Sequence, residues 1–294
     1  MSTSIPVVEQ LPELPVADVL DALRTAFTEL AAGTAVQPPQ TVTLLPGGGD
    51  VIAYQAAAGD AYGVKVSPYL PQPSSPAVVT AWTLVLSTQT GRPAVLCDSA
   101  ALTVERTAAT TALAVDLLAR PDASTLAIIG SGAQAHAHLR YAHAVRSFTD
   151  VRMYSRSLRE APDGVTLAAS ADEAASGADV VLLCTSAAEP VIDVTALSPG
   201  TLVTSISTNA PRAHEIDPAA LPGLEVYGDY RATVTGSAGE LLIAAEQGVW
   251  SPDRLRGDLP ELLTDACERP SGDRPVFFRS IGLGLEDLAV ARLL

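Results

Sequence analysis

The residues with the most chemical content lie between positions 125 and 135, which read Thr-Leu-Ala-Ile-Ile-Gly-Ser-Gly-Ala-Gln-Ala. The apolar run 126–129 has the length and composition of a buried strand, and a helical pattern follows from 136 to 146. Strand, then Gly-x-Gly-x-x-Ala, then helix is the arrangement that holds the pyrophosphate of a dinucleotide. Gly130 supplies a turn that a Cβ would obstruct, and Gly132 lets the backbone approach the phosphates. Ala135 is small enough for the helix to pack on the strand, and the helix N-terminus offers free N–H groups to the anion. Gly130, Ser131, Gly132, Ala133 and Gln134 are the expected phosphate cradle.

The next strand, 151–154, should end beside the adenosine ribose. An acid there would hold the 2′-hydroxyl of NAD, but the chain reads Ser155-Arg156-Ser157. Two hydroxyls flanking an arginine suit the 2′-phosphate of NADP, so NADP(H) is the expected cofactor. NAD(H) is the alternative, with Arg156 a loop residue that stacks on adenine. Thr185 and Ser207, which follow the candidate strands 179–184 and 201–206, are counted with the cofactor-binding residues. Asp229 follows a further candidate strand, 224–227, and so should face the ligand crevice of an open α/β sheet. A carboxylate there suits acid/base work on an amine or imine nitrogen, and an Asp after Gly suits a plain turn equally.

Of 18 basic residues, Lys65 is the one lysine. Arginine serves every other cationic duty, so Lys65 should occupy a place where a compact ammonium of adjustable pKa is required. The strand-like setting Tyr62-Gly63-Val64-Lys65-Val66 makes that place semi-buried. Arg106 falls in the first turn of a helix expected over 104–118, with Thr103 as its cap. A cation there opposes the helix dipole and calls for an anion, either a substrate carboxylate or an acid of the chain itself.

The elements that must position these residues fall into two blocks. A helix over 16–30, closing at Gly33, precedes a meander of short strands at 41–45, 51–55, 62–66, 78–87 and 93–98. From residue 125 strands and helices alternate, with further helices at 239–247 and 259–267. A strand-like 276–278 then leads into a final helix, 285–294. The fold class is α/β. The change of pattern near residue 120 marks a domain boundary, with a Rossmann-type dinucleotide-binding domain expected from 121 onward.

Composition narrows the partners. With 294 residues, 48% hydrophobic and 17% charged, the chain can bury a sizeable core. A net charge of −15 disfavours nucleic acid and anionic membranes. No apolar run reaches the ~20 residues that span a bilayer, and the leading residues lack the basic segment of a signal peptide. Cys97, Cys184 and Cys267 have no metal-ligand spacing and read as buried thiols of a reducing compartment, so a cytoplasmic location is expected. His136, His138 and His143 form no i, i+4 pair, and no metal is expected.

Taken together, Gly91-Arg-Pro93, Leu102-Thr-Val-Glu-Arg-Thr-Ala-Ala109, Ile128-Ile-Gly-Ser-Gly-Ala-Gln-Ala135 and Tyr62-Gly-Val-Lys65 resemble the ornithine cyclodeaminase/mu-crystallin family. His214-Glu-Ile-Asp217, Gly228-Asp229, Gly239-Glu-Leu241 and Ser280-Ile-Gly-Leu-Gly-Leu-Glu-Asp-Leu288 extend the resemblance over nearly the whole chain. It implies a homodimer whose N-terminal lobe and C-terminal helix, 1–120 and 275–294, form an α+β substrate-binding and dimerisation domain around an inserted Rossmann domain, 121–274. It implies hydride transfer between a nicotinamide and an amine- or imine-bearing carbon next to a carboxylate. Lys65 and Arg106 match the positions on the substrate-carboxylate and catalytic side, and Asp229 matches the acid/base aspartate. Two departures stand out. Gln40 replaces an arginine that would be a further carboxylate ligand, and Tyr54-Gln55 replaces a Met-Pro pair before the lysine strand. The expected activity is reduction of a C=N bond, in a cyclic ketimine or the imine of a 2-oxo acid. The alternatives are an amino-acid dehydrogenase or cyclodeaminase running in the oxidative direction, and a crystallin-like protein that binds NADP without turnover.

Overall fold

Strand Ala61–Leu70 alternates buried and open positions at its start, with Ala61, Gly63 and Lys65 inward. This period of two places Lys65 on the covered face of a sheet. The computed structural model describes residues 5–72, 74–207 and 212–294, so the first four residues of the leading stretch lie outside it. The chain divides into two units, Met1–Thr107 with Gly282–Leu294, and Ala108–Ile281.

In the first unit, Ala61–Leu70 is central to a mixed sheet. The order is Val7–Val8, Pro93–Asp98, Trp82–Ser87, Ala61–Leu70, Asp50–Ala58, Ala35–Val36. Thr41–Leu44 adds to Asp50–Ala58, and Val78–Val79 to Ala61–Leu70. The expected strand 78–87 is thus two pieces, Val78–Val79 and Trp82–Ser87. Helix Gly284–Ala291, every residue of it buried, packs on this sheet because two glycines clear the way. A Cβ on Gly63 would lie 2.9 Å from Leu288 Cδ1, and one on Gly284 would lie 2.7 Å from the Gln55 backbone. Helix Val16–Ala31 presents Val19, Leu20, Leu23, Ala26 and Phe27 to the core, and the chain leaves it through Gly33 at φ +71°.

The helix expected from 104 begins at Ala100. Asp98 Oδ1 accepts the Ala100 N–H at 2.8 Å, so the acid that ends the preceding strand meets the helix start, and Thr103 lies inside the helix. Arg106 is therefore beyond the first turn.

The second unit is built on an eight-stranded parallel sheet. Its order is Thr166–Leu167, Asp150–Tyr154, Thr125–Ile129, Val180–Leu183, Leu202–Ser205, Val276–Arg279, Glu225–Gly228, Gly257–Asp258. The central strands are continuous buried runs such as Val-Val-Leu-Leu and Val-Phe-Phe-Arg, as a sheet covered on both faces requires. Strand order reverses between Thr125–Ile129 and Val180–Leu183, the switch point where such sheets open a ligand crevice. The sequence reading grouped 275–281 with the first domain, but Val276–Arg279 pairs on both sides within this sheet, so the chain returns at Gly282.

Candidate active site

Because every strand of the second unit runs the same way, one row of paired residues crosses it. The row is Tyr154, Ile129, Leu183, Ser205, Arg279, Gly228. One residue past this row lie Ser155, Gly130, Ser280 and Asp229, and two residues past it Thr185 and Ser207. The parallel sheet thus brings the loops that begin at Gly130, Ser155, Cys184 and Ile206, which carry the cofactor candidates of the sequence, to one end of its strands.

Gly130 holds φ +135°, and a Cβ there would run into the Cys184 carbonyl. Gly132 is the N-cap of helix Ala133–Val145, which has no side-chain cap. The first-turn N–H groups are left for another acceptor, and a Cβ on Gly132 would meet no atom within 4 Å. This uncapped, open helix start fits a pyrophosphate. Ser131 Oγ–H donates to Ser155 Oγ at 2.9 Å, tying the phosphate loop to the ribose-side loop, and Ser157 Oγ lies 3.3 Å from Ser155 Oγ. Arg156 is exposed at the end of this strand.

Thr185 and Ser207 are committed to the protein through a residue to which the sequence reading assigned no role. Glu215 is fully buried. Its Oε1 accepts from Thr185 N and Oγ1 at 3.0 and 2.7 Å. Its Oε2 accepts from Ser205 Oγ, Ile206 N and Ser207 N at 2.7, 3.2 and 3.2 Å. Ser207 Oγ–H donates to Ala187 O at 2.7 Å. One carboxylate thus sets two crevice loops. Beside it, buried Arg279 pairs with Glu240 at 2.7 Å and donates to the Ser207 carbonyl. Burial raises the Glu240 pKa, and Arg279 opposes that rise.

Asp229 is also fully buried. Its Oδ1 accepts from Tyr230 N at 2.8 Å, and its Oδ2 from Ser280 Oγ and Ile281 N at 3.1 and 2.6 Å. These donors engage both oxygens of the Asp229 carboxyl group and fix its orientation.

The first unit holds Lys65 and Arg106 in a buried charged group. Lys65 Nζ lies 2.8 Å from Asp287 Oδ2, and Arg106 Nε–H donates to Asp287 Oδ1 at 3.1 Å. Arg106 Nη1 donates to Glu286 Oε2 at 2.8 Å. Tyr54, directly opposite Lys65 in the strand pairing, lies with its ring centroid 4.4 Å from the ammonium. Burial brings the Lys65 pKa down to about 8; Asp287 opposes the shift and Arg106 adds to it. For Arg106 burial works against the charge, but Asp287 and Glu286 outweigh it and the pKa rises. The sequence left two anions open for Arg106, and the structure supplies the chain's own acids. Gln40 is exposed ahead of Thr41–Leu44, whereas buried Gln37 accepts the Leu285 N–H at 2.8 Å.

The other titratable residues have structural settings. His138 Nδ1–H donates to Gln134 O at 2.7 Å, and Nε2 accepts from Thr111 Oγ1 at 3.0 Å. Burial lowers its pKa to about 4. Cys97 and Cys184 are buried, and Cys267 only partly so. Among the described residues no group of three His, Cys, Asp or Glu is placed to hold a metal ion, and no helix is long and apolar enough to cross a membrane.

Comparison with known proteins agrees with this architecture. The NAD(P)H-dependent anabolic L-arginine dehydrogenase DauB of Pseudomonas aeruginosa is 52% identical, over 100% of this chain and 98% of that one. The ketimine reductase mu-crystallin of Mus musculus is 28% identical, over 93% and 89%. Among solved structures, the pyrroline-2-carboxylate reductase of Thermococcus litoralis, in complex with NADH and L-proline, superimposes with a TM-score of 0.88. It is 25% identical, with 98% of this chain and 96% of that chain covered. The ornithine cyclodeaminase/mu-crystallin family model matches residues 4–294, and the chain belongs to that family.

Proposed function

We propose that the protein reduces a C=N bond next to a carboxylate, with NADPH as the preferred hydride source. The observation that carries this reading is the shared edge of the parallel sheet, where an uncapped dinucleotide loop and a buried carboxylate, Asp229, lie past the same row of strand ends. Bound at that loop, the dihydronicotinamide supplies a hydride. The residues of the chain do the rest. Gly130 to Gln134 bind the pyrophosphate, and Ser155, Arg156 and Ser157 bind the 2′-phosphate. Asp229, fixed in orientation by its three donors, accepts a hydrogen bond from the protonated imine nitrogen and so favours the iminium, the form that takes up hydride. Lys65 and Arg106 bind the substrate carboxylate, the role that gives the one ammonium of the chain its buried place. The close relationship to an L-arginine dehydrogenase favours an open-chain imine over a cyclic one. A 2-oxo acid and ammonia lose water to give the imine, and hydride plus a proton then give the amino acid. A guanidinium side chain also suits a chain of net charge −15. The protein works as a homodimer, in keeping with the exposed Val42, Leu44, Tyr69 and Val79 on the sheet of the first unit.

The test is NADPH or NADH oxidation with 5-guanidino-2-oxopentanoate plus ammonia, beside two cyclic imines, pyrroline- and piperideine-2-carboxylate. Ammonia-dependent oxidation of NADPH is the expected result. Oxidation with the cyclic imines alone moves the reading to ketimines. Cofactor binding without oxidation of any substrate supports a non-catalytic protein instead. Replacing Arg156 with Ala should weaken NADPH binding roughly 10- to 100-fold and leave NADH binding unchanged, the loss of one charge-assisted contact.

A further inference from the structure

The proposed reaction uses the two cations of the buried group in the first unit and leaves its acids without a role. Asp287 is 1% exposed and touches both cations, Lys65 through Oδ2 and Arg106 through Oδ1. Glu286 touches Arg106. The groups facing Lys65 come from three elements. Tyr54 lies on the neighbouring strand, Arg106 on helix Ala100–Leu118, and Glu286 and Asp287 on helix Gly284–Ala291. Of these, the acid in contact with the ammonium is Asp287.

The fold fixes that contact. Gly63, two residues before Lys65, lets Leu288 seat on the sheet, which brings its neighbour Asp287 over the lysine. Gly282, at φ +78°, leaves the space that the Arg106 guanidinium fills. Both acids lie in the first turn of their helix, where the dipole favours negative charge. Without a shared anion, two buried cations on adjacent elements would repel, and the ammonium, whose proton is the labile one, would lose it.

We propose that Asp287 is a positioning residue for the substrate: its carboxylate bridges Lys65 and Arg106 into one carboxylate-binding pair and keeps the lysine charged for that task. The proposal rests on the substrate role given above to Lys65 and Arg106, but its first readout does not need turnover.

Because the chain has one lysine, protein grown on lysine carrying 13C at Cε gives one such resonance, already assigned to Lys65. In the wild type it should titrate near pH 8. Asp287→Asn should lower the midpoint by roughly one unit or more, and Glu286→Gln by less, because Asp287 makes the direct contact. Asp287→Glu should restore most of the shift. The alkaline limb of kcat/KM should move with the midpoint, and KM for the carboxylate substrate should rise while the Kd for NADPH stays unchanged. A midpoint in Asp287→Asn equal to the wild-type value overturns the proposal, as does a larger shift in Glu286→Gln. If Asp287→Asn does not fold, the wild-type resonance decides. A midpoint well below 8 with no magnetisation transfer from Lys65 Nζ to Asp287 Cγ overturns the proposal, and one near 8 or above with that transfer supports it. A protein that shows these shifts but turns over no imine keeps Asp287's hold on Lys65 and refutes the substrate reading alone.

Discussion

At the scale of single residues, two buried bases set the pH behaviour. Lys65 has a folded-state pKa of about 8, below the ~10.4 of a free lysine. The charged form that binds a carboxylate is present below pH 8 and is lost above it. KM for the substrate should therefore rise about tenfold per pH unit on the alkaline side, as initial-rate profiles would show. Between the two pKa values the unfolded chain holds the extra proton, so this residue adds stability as the pH rises through that window. His138 has a pKa of about 4, lowered by burial from an ordinary ~6.5. Below 6.5 the unfolded chain takes up a proton that the folded one refuses, so stability falls as pH drops from 6.5 towards 4. The loss should approach about 3 kcal/mol, and urea unfolding at stepped pH would measure it. Asp229→Asn keeps the shape and removes the charge. It should lower kcat by ~100-fold or more with NADPH affinity unchanged, and turnover close to wild type would refute the role given to Asp229. The singular status of Lys65 was visible in composition. Its partners Tyr54 and Asp287 were not, because a strand register and a packed helix far along the chain bring them together.

At the scale of elements, two glycines carry sharp expectations. Alanine at Gly130 would have to hold φ +135° and push against the Cys184 carbonyl. It should cost about 1–3 kcal/mol of stability in thermal or urea unfolding and abolish cofactor binding. Alanine at Gly282 would hold φ +78° with its Cβ 2.9 Å from Arg106 Nη2. It should raise KM for the substrate while NADPH titration stays as in wild type. The parallel strands were legible because strands covered on both faces are continuous apolar runs bounded by turns. Two features were not legible. Thr103 has the residue type of a cap, but Asp98 meets the helix start, and sequence alone does not say which of two nearby acceptors reaches the free N–H. Val276–Arg279 pairs between strands that precede it in the chain, and the order of strands in a sheet is a tertiary property that no local pattern carries.

At the scale of the whole molecule, the chain passes from the first unit to the second inside helix Ala100–Leu118 and returns at Gly282. The change in pattern near residue 120 marks a domain boundary and the resemblance implies the inserted order, while the return point depends on which sheet accepts the last strand. The exposed apolar side chains of the first unit predict self-association. Sedimentation should give twice the chain mass, and Leu44→Glu with Val79→Glu should shift it towards the single chain.

The burial of Lys65 also changes how this protein meets reagents. With its one lysine enclosed by Tyr54, Arg106 and Asp287, the outer surface carries no lysine ammonium, and its side-chain cations are guanidinium groups. Lysine-to-lysine cross-linkers would find no pair of side chains to join, so a single band after such treatment says nothing about self-association. The same enclosure shields the lysine from a small acylating agent: the folded chain should stay unmodified at Lys65 and the adduct should form as the chain unfolds, so lysine acylation counts lost folds.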